Sequence, residues 1–333
     1  MSFDPQRKQA HGMLLGKFLP PHLGHVYLAD FARNFVTDLS LVVGTLPTEP
    51  IPGDLRFRWM VSLFPDANVI HLDQVLPQDP SEHPDFWKLW RETLERILPE
   101  KPDFVFASEK YGHKLAEVLG AKFVPVDRSR QIRPVRATEI RENPYAHWDL
   151  IPPCVRAHYA LRVCIFGPES TGKSTLAQNL ADHFETIAVP EYARTYLEEQ
   201  NGELAYNDLP MIARGQIASE DALIPHCNRV LITDTDVLAT TVWSQFLYGK
   251  CDPWIEEVAN ARPADLYLLT DVDVPCVDDA VRYLPENRSD FLAECEQALT
   301  TRGRRFVRLS GTWEARMERA VDAVSGICYN MEL

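Results

Sequence analysis

Gly167-Pro168-Glu169-Ser170-Thr171-Gly172-Lys173-Ser174 is the stretch that decides how this chain is read. It follows Arg162-Val163-Cys164-Ile165-Phe166, a short apolar run with the character of a buried strand. It precedes Thr175-Leu176-Ala177-Gln178-Asn179-Leu180-Ala181, which has helical spacing and good helix formers. Strand, G-x-x-x-x-G-K-S loop and helix together make a Walker A phosphate loop in its required context. Gly167 and Gly172 let the backbone N–H groups of Glu169, Ser170, Thr171 and Lys173 close around phosphate oxygens, and the helix N-terminus adds partial positive charge. Lys173 reaches the outer phosphates, while Ser174 and Thr175 stand at the helix start, Ser174 suited to Mg²⁺.

Working outward on the C-terminal side, Thr186 to Val189 reads as a strand that delivers Glu191 beside the terminal phosphate. A carboxylate there can take the proton of an acceptor hydroxyl; the alternative is a helix-start Glu favoured by the macrodipole. Arg229-Val230-Leu231-Ile232-Thr233-Asp234-Thr235-Asp236 has the form of a Walker B strand. Asp234 is assigned to metal and Asp236 to a sugar hydroxyl. Trp243 and Trp254 either face a base or pack in the core. Residues 278–288 read as a lid whose Arg282 and Arg288 neutralise phosphate charge, or as an ion-paired surface helix. A last strand, Arg305 to Leu309, and a closing helix from Trp313 to Val324 complete this half.

Working outward on the N-terminal side, Gly12 to Phe18 reads as a strand entering a loop, Leu19-Pro20-Pro21-His22-Leu23-Gly24-His25, before a helix over Val26 to Val36 and a second strand, Leu39 to Gly44. This β-loop-α-β order starts a doubly wound sheet. His22 and His25 would project at a helix N-terminus and stabilise charge on a five-coordinate phosphorus. Asp54 to Phe64 reads as a helix with Arg56 and Arg58 on a solvated face. Trp87 and Trp90 on the amphipathic helix from Asp85 to Ile97 are candidates for stacking on a flat ring or for the core. Thr138 is the expected N-cap of a helix whose first turn carries Arg141, an unfavourable place for a cation without an anionic partner.

The remaining totals narrow the class. A chain of 333 residues accommodates two ordinary domains, and 45% apolar with 25% charged residues is a globular composition. A formal charge of −14 argues against a general binder of nucleic acid or of membrane surfaces. Seven cysteines without a C-x-x-C pair, and an N-terminus without an apolar core, suggest a reducing cytoplasmic setting and no structural zinc. The expected fold is α/β, with two parallel sheets: a Rossmann-like domain over residues 1–158 and a P-loop domain over residues 159–333. Self-association into a homo-oligomer is left open.

Gly16-Lys17-Phe18-x-Pro20-x-His22-x-Gly24-His25 resembles the signature of the H-x-G-H nucleotidyltransferase superfamily. The pairing of that signature with a kinase-type phosphate loop resembles the NadR-like bifunctional family, nicotinamide-mononucleotide adenylyltransferase joined to ribosylnicotinamide kinase. The likeness extends through T-x-I-R-x-x-P at Thr138, P-E-Y-x-R around Glu191, D-T-D at Asp234 and the V-x-D-x-x-R lid. It implies two steps that use ATP and Mg²⁺, phosphorylation of nicotinamide riboside and adenylyl transfer to nicotinamide mononucleotide to give NAD. Gly16, Lys17, Phe18, His22, His25, Thr138 and Arg141 would serve the second step; Lys173, Ser174, Glu191, Asp234, Arg282 and Arg288 would serve the first. Arg136 stands where the superfamily has a hydroxyl residue. The rival readings are therefore a kinase with a merely nucleotide-binding first domain and an NAD sensor without turnover. Few residues precede the first strand, so the helix-turn-helix module of some members is expected to be absent, and with it operator binding.

Overall fold

The structure is a computed structural model that describes residues 9–129, 131–200, 202–274 and 287–329. The chain divides into two compact units, residues 1–155 and 156–333. The division falls inside the helix Pro153–Tyr159 rather than at its end, where the sequence reading put it.

In the first unit, β1 (His11–Gly16), β2 (Asp38–Gly44), β3 (Asn68–Leu72), β4 (Phe104–Ala107) and β5 (Lys122–Pro125) form a parallel sheet in the order 3-2-1-4-5. Its helices are α1 (Leu23–Phe35), α2 (Gly53–Leu63), α3 (Phe86–Ile97), α4 (Tyr111–Leu119), α5 (Ala137–Glu142) and α6 (Pro153–Tyr159), which crosses into the second unit. Neighbouring residues of a strand point to opposite faces. Leu14, Leu41, Val43 and Phe106 therefore pack against Ala29 and Ala32 of α1 and Met60 of α2. Met13, Val42 and Val105 pack on the other face, against Leu94 of α3 and Leu115 of α4. Each such buried side chain contributes about 1.5–3 kcal/mol. The strand order reverses between β1 and β4, so the loop after β1 opens at a switch point, where ligands bind in such sheets.

In the second unit, β6 (Leu161–Phe166), β7 (Ile187–Val189), β8 (Val230–Asp234), β9 (Leu266–Thr270) and β10 (Phe306–Leu309) form a parallel sheet in the order 10-9-6-8-7. The helices are α7 (Lys173–His183), α8 (Tyr192–Glu199), α9 (Leu209–Leu223), α10 (Val237–Tyr248), α11 (Pro253–Ala261), α12 (Arg288–Thr301) and α13 (Trp313–Tyr329). Every residue of β8 and β9 is buried, as expected of central strands covered on both faces. Cys164, Phe166, Tyr267 and Leu269 pack against α10, α11 and α12.

Three local expectations change. The helix read as starting at Val26 starts at Leu23, because His22 caps it. Thr138 is not an N-cap: α5 begins at Ala137, Arg136 holds the cap position, and the Glu139 carboxylate accepts from the Arg136 N–H at 2.8 Å. Arg56 is not on a solvated face but fully buried, whereas Arg58 is exposed beside Asp54. Among the described residues, no helix is long and apolar enough to cross a membrane.

Candidate functional sites

The first site lies on the loop between β1 and α1. The His22 ring accepts from the Gly24 N–H through Nδ1 at 3.1 Å, and the His22 N–H donates to His25 Nδ1 at 3.3 Å. The two imidazoles stack with centroids 3.7 Å apart, and Phe18 meets His25 edge-on at 5.0 Å. A side chain at Gly24 would sit 2.9 Å from the His22 ring, so the glycine of H-x-G-H is what lets the rings lie over the helix start. Nδ1 is thus engaged in both rings, which fixes their orientation over the start of α1. Arg141 donates to the Leu19 carbonyl and lies 3.4 Å from the Thr138 hydroxyl, so α5 and the histidine loop are tied together.

Arg56 and Glu49 are functional candidates the sequence reading missed. Arg56 donates to the carbonyls of Ile51 (3.1 Å), Lys17 (2.5 Å) and Gly44 (3.4 Å), and to the Glu49 carboxylate. Glu49 in turn holds the Lys17 ammonium at 3.0 Å. Burial works against the Glu49 charge, but the Leu46 N–H, Lys17 and Arg56 more than offset it and keep the carboxyl below its ordinary range. An arginine in an unremarkable helix carries no sequence signal for this role, since three of its four acceptors are backbone oxygens. Trp87 packs on the core beside Leu94 and meets Phe86 edge-on, the core alternative rather than the stacking one.

The second site is a cavity of about 720 Å³ at the carboxyl edge of the second sheet. Glu169, Ser170, Gly172, Lys173, Ser174 and Thr175 form one wall, and Glu191, Asp234, Asp236 and Trp243 line it as well. Gly167 has φ 133°, and a Cβ there would lie 2.7 Å from Thr270 Oγ1. The Thr171 hydroxyl donates to the Pro168 carbonyl at 2.7 Å and meets Thr270 at the same distance, which braces the loop against β9. Lys173 Nζ rests on the Pro168 carbonyl at 2.8 Å.

Asp234 ends β8 buried, and its Oδ1 has no hydrogen-bond partner among the described residues. A buried, unpartnered carboxylate oxygen in the same cavity as the Ser174 hydroxyl fits a hard divalent cation held directly or through water. Loss of hydration raises the Glu191 carboxyl to about 7, with the Lys173 ammonium opposing the shift and the Asp234 carboxylate adding to it. That places a proton acceptor near neutrality next to the phosphate loop. Asp236 caps α10; its carboxylate accepts from the Ala239 N–H at 3.3 Å and from the Tyr267 hydroxyl at 2.8 Å. A sugar hydroxyl would therefore have to join an already occupied carboxylate. Trp243 packs on Phe291 at 4.2 Å while lining the cavity, so its core and site alternatives coexist. Trp254 takes the core alternative, with Arg214 5.1 Å from its ring.

Arg288 starts α12 and donates to the Ser170 carbonyl of the loop (3.2 Å) and to Val274 (3.3 Å). Arg282, the other lid arginine, lies outside the described residues. Two groups went unread in the sequence. Buried Gln216 accepts from the Tyr192 N–H at 3.0 Å and donates to the Thr235 carbonyl at 3.3 Å, joining the Glu191 and Asp234 strand ends. Buried Arg316 of α13 donates to the carbonyls of Thr171 (3.2 Å), Asp271 (3.1 Å) and Gly311 (3.2 Å) and pairs with Asp273. Both look like ordinary residues of amphipathic helices until the chain is folded.

A capped H-x-G-H loop on one parallel sheet and a phosphate loop with a Walker B acid on another define a two-unit α/β protein built to handle nucleotides twice. An AAA domain family model matches residues 162–316. The trifunctional NAD biosynthesis/regulator protein NadR of Escherichia coli K12 is 29% identical over 96% of this chain and 84% of its own length. The Salmonella typhimurium LT2 protein of the same name is 28% identical over the same shares. A crystal structure of NadR in complex with NAD and AMP-PNP superposes with a TM-score of 0.76 at 25% identity, covering 96% of each chain. A second, of NadR in complex with NR, gives 0.77 at 24% identity over 96% of this chain and 97% of that one. Over nearly its whole length the chain is similar to proteins named NadR.

Proposed function

We propose that this chain is a bifunctional enzyme of NAD biosynthesis: the second unit phosphorylates nicotinamide riboside with ATP, and the first joins the resulting mononucleotide to a second ATP. The observation that carries the reading is that Lys173, Ser174, Glu191 and Asp234 share one cavity in the second unit, while the first unit carries a stacked histidine pair at the start of α1.

In the kinase unit, Glu191 accepts the proton of the riboside 5′-hydroxyl as its oxygen attacks the terminal phosphorus of ATP, and ADP leaves. Lys173 and Arg288 hold the phosphate oxygens. Thr171, Thr270 and Arg316 keep the loop in shape. Ser174 and Asp234 would hold Mg²⁺, which when bound would supply charge neutralisation on the outer phosphates. In the adenylyltransferase unit, a mononucleotide phosphate oxygen attacks the α-phosphorus of ATP and pyrophosphate leaves. Positioning and charge stabilisation carry most of such a displacement. His22 and His25 stabilise charge on the reacting phosphate, Lys17 and Arg141 receive the departing pyrophosphate, and Glu49 and Arg56 hold Lys17 in place.

The test measures mononucleotide formation from riboside and NAD plus pyrophosphate formation from mononucleotide, each with Mg-ATP, in wild type and two variants. Lys173→Ala should abolish the first reaction and spare the second; His25→Ala should do the reverse. No pyrophosphate release by the wild type, with phosphorylation intact, would reduce the function to that of a kinase.

A further inference from the structure

Trp313 belongs to no motif, yet it is the first residue of α13, lines the phosphate-loop cavity and is 53% exposed. An indole left this open beside a polar ligand site has lost little water and keeps a face for a partner. Its six-membered ring abuts Gly172: a Cβ on that glycine, where φ is 82°, would fall 2.7 Å from Cη2. The Arg316 guanidinium lies 5.4 Å from the ring centroid and is itself pinned by the Thr171, Asp271 and Gly311 carbonyls. The indole is thus held at a set place relative to the loop that grips the phosphates.

We infer that Trp313 is the stacking platform for the base of the phosphoryl donor. The cavity has a second tryptophan, Trp243, on the helix capped by Asp236. An acceptor hydroxyl has to meet the terminal phosphate beside Glu191 and Asp234, which assigns the Asp236 and Trp243 wall to the acceptor. The donor's α-phosphate and base trail away from that point, past the loop and the start of α7. Trp313 touches the loop itself at Gly172, on the route the base takes out of the cavity. A base on an aromatic ring is a sequence-tolerant contact that grows with ring area.

This inference rests on the kinase reading, and its test uses binding as well as turnover so that the two fail separately. The full chain, as wild type, Trp313→Ala and Trp313→Phe, is titrated with ADP and with inorganic tripolyphosphate by calorimetry, and riboside phosphorylation is measured in parallel. Trp313→Ala should weaken ADP binding and raise the ATP KM about 5- to 150-fold. Tripolyphosphate affinity, kcat and the riboside KM should stay unchanged, and Trp313→Phe should recover most of the loss. An equal loss for ADP and tripolyphosphate would make Trp313 a mere prop for Gly172 and overturn the inference. So would unchanged ADP affinity, or an effect confined to the riboside KM. A wild type that binds ADP but does not phosphorylate the riboside sinks the kinase reading, while the ADP-to-tripolyphosphate comparison still decides the role of Trp313.

Discussion

Arg56 offers the sharpest test of how the first unit is held together. Replacing it with Met keeps the length of the side chain and removes donors to three carbonyls and one carboxylate. The Glu49 side chain, 8% exposed, is then left with the Leu46 N–H and with Lys17, which is itself half exposed. Stripping one partner from a buried ion pair costs about 3–5 kcal/mol, because the remaining charge stays desolvated. With a urea slope near 2 kcal/mol per molar, that lowers the unfolding midpoint of this unit by about 2 M. Hydrogen exchange on peptides covering β1 and β2, followed through a urea series, reads this unit apart from the other. Adenylyl transfer should fall with it, because the Lys17 backbone and ammonium both lose their anchor, while riboside phosphorylation persists. The double variant Arg56→Met, Glu49→Leu removes both charges and should recover most of the stability without recovering adenylyl transfer. A midpoint shift of less than about 0.5 M for Arg56→Met, or full recovery of activity in the double variant, would refute the reasoning.

Riboside phosphorylation should rise about tenfold between pH 6 and pH 8 if Glu191 titrates at about 7 and acts only when ionised. The sign follows from the raised value: activity is lost as pH falls through 7, whereas an unshifted carboxylate would leave the profile flat over that range. Glu191→Gln should abolish the dependence and slow the reaction by about 10²–10⁴. Asp234→Asn should raise the Mg²⁺ concentration needed for half-maximal phosphorylation, measured at saturating ATP, and leave adenylyl transfer unaffected. Gly172→Ala should cost phosphorylation heavily, since the new Cβ meets Trp313 at a backbone conformation disfavoured for alanine; an active variant would show that the loop shape in the structure is not the working one.

The phosphate loop, the H-x-G-H loop and the Walker B strand were legible because each is a local device. Its glycines, histidines or carboxylate act within a few residues of one strand end, so spacing alone carries the chemistry. The alternation and apolar runs of the strands likewise announced two parallel sheets, since a strand covered on both faces must be apolar throughout. Arg56, Arg316 and Gln216 were illegible for the opposite reason. Their partners are mostly backbone carbonyls and amides, which every sequence possesses, and only the fold decides which of them converge. A polar residue on an amphipathic helix reads as solvated until the tertiary structure turns it inward. The N-cap of α5 shows the same limit: Thr138 has the right chemistry, but the chain enters the helix earlier, at Arg136.

By itself, then, the sequence determined the candidate reacting groups, their order along the chain and the two-sheet architecture, because those follow from short-range periodicity and motif spacing. The tertiary structure alone decided which side chains hold them: Glu49 and Arg56 behind Lys17, Thr270 and Arg316 behind the phosphate loop. Such contacts join residues far apart in the chain, and their energy arises from burial and desolvation, which exist only once the chain has closed around them.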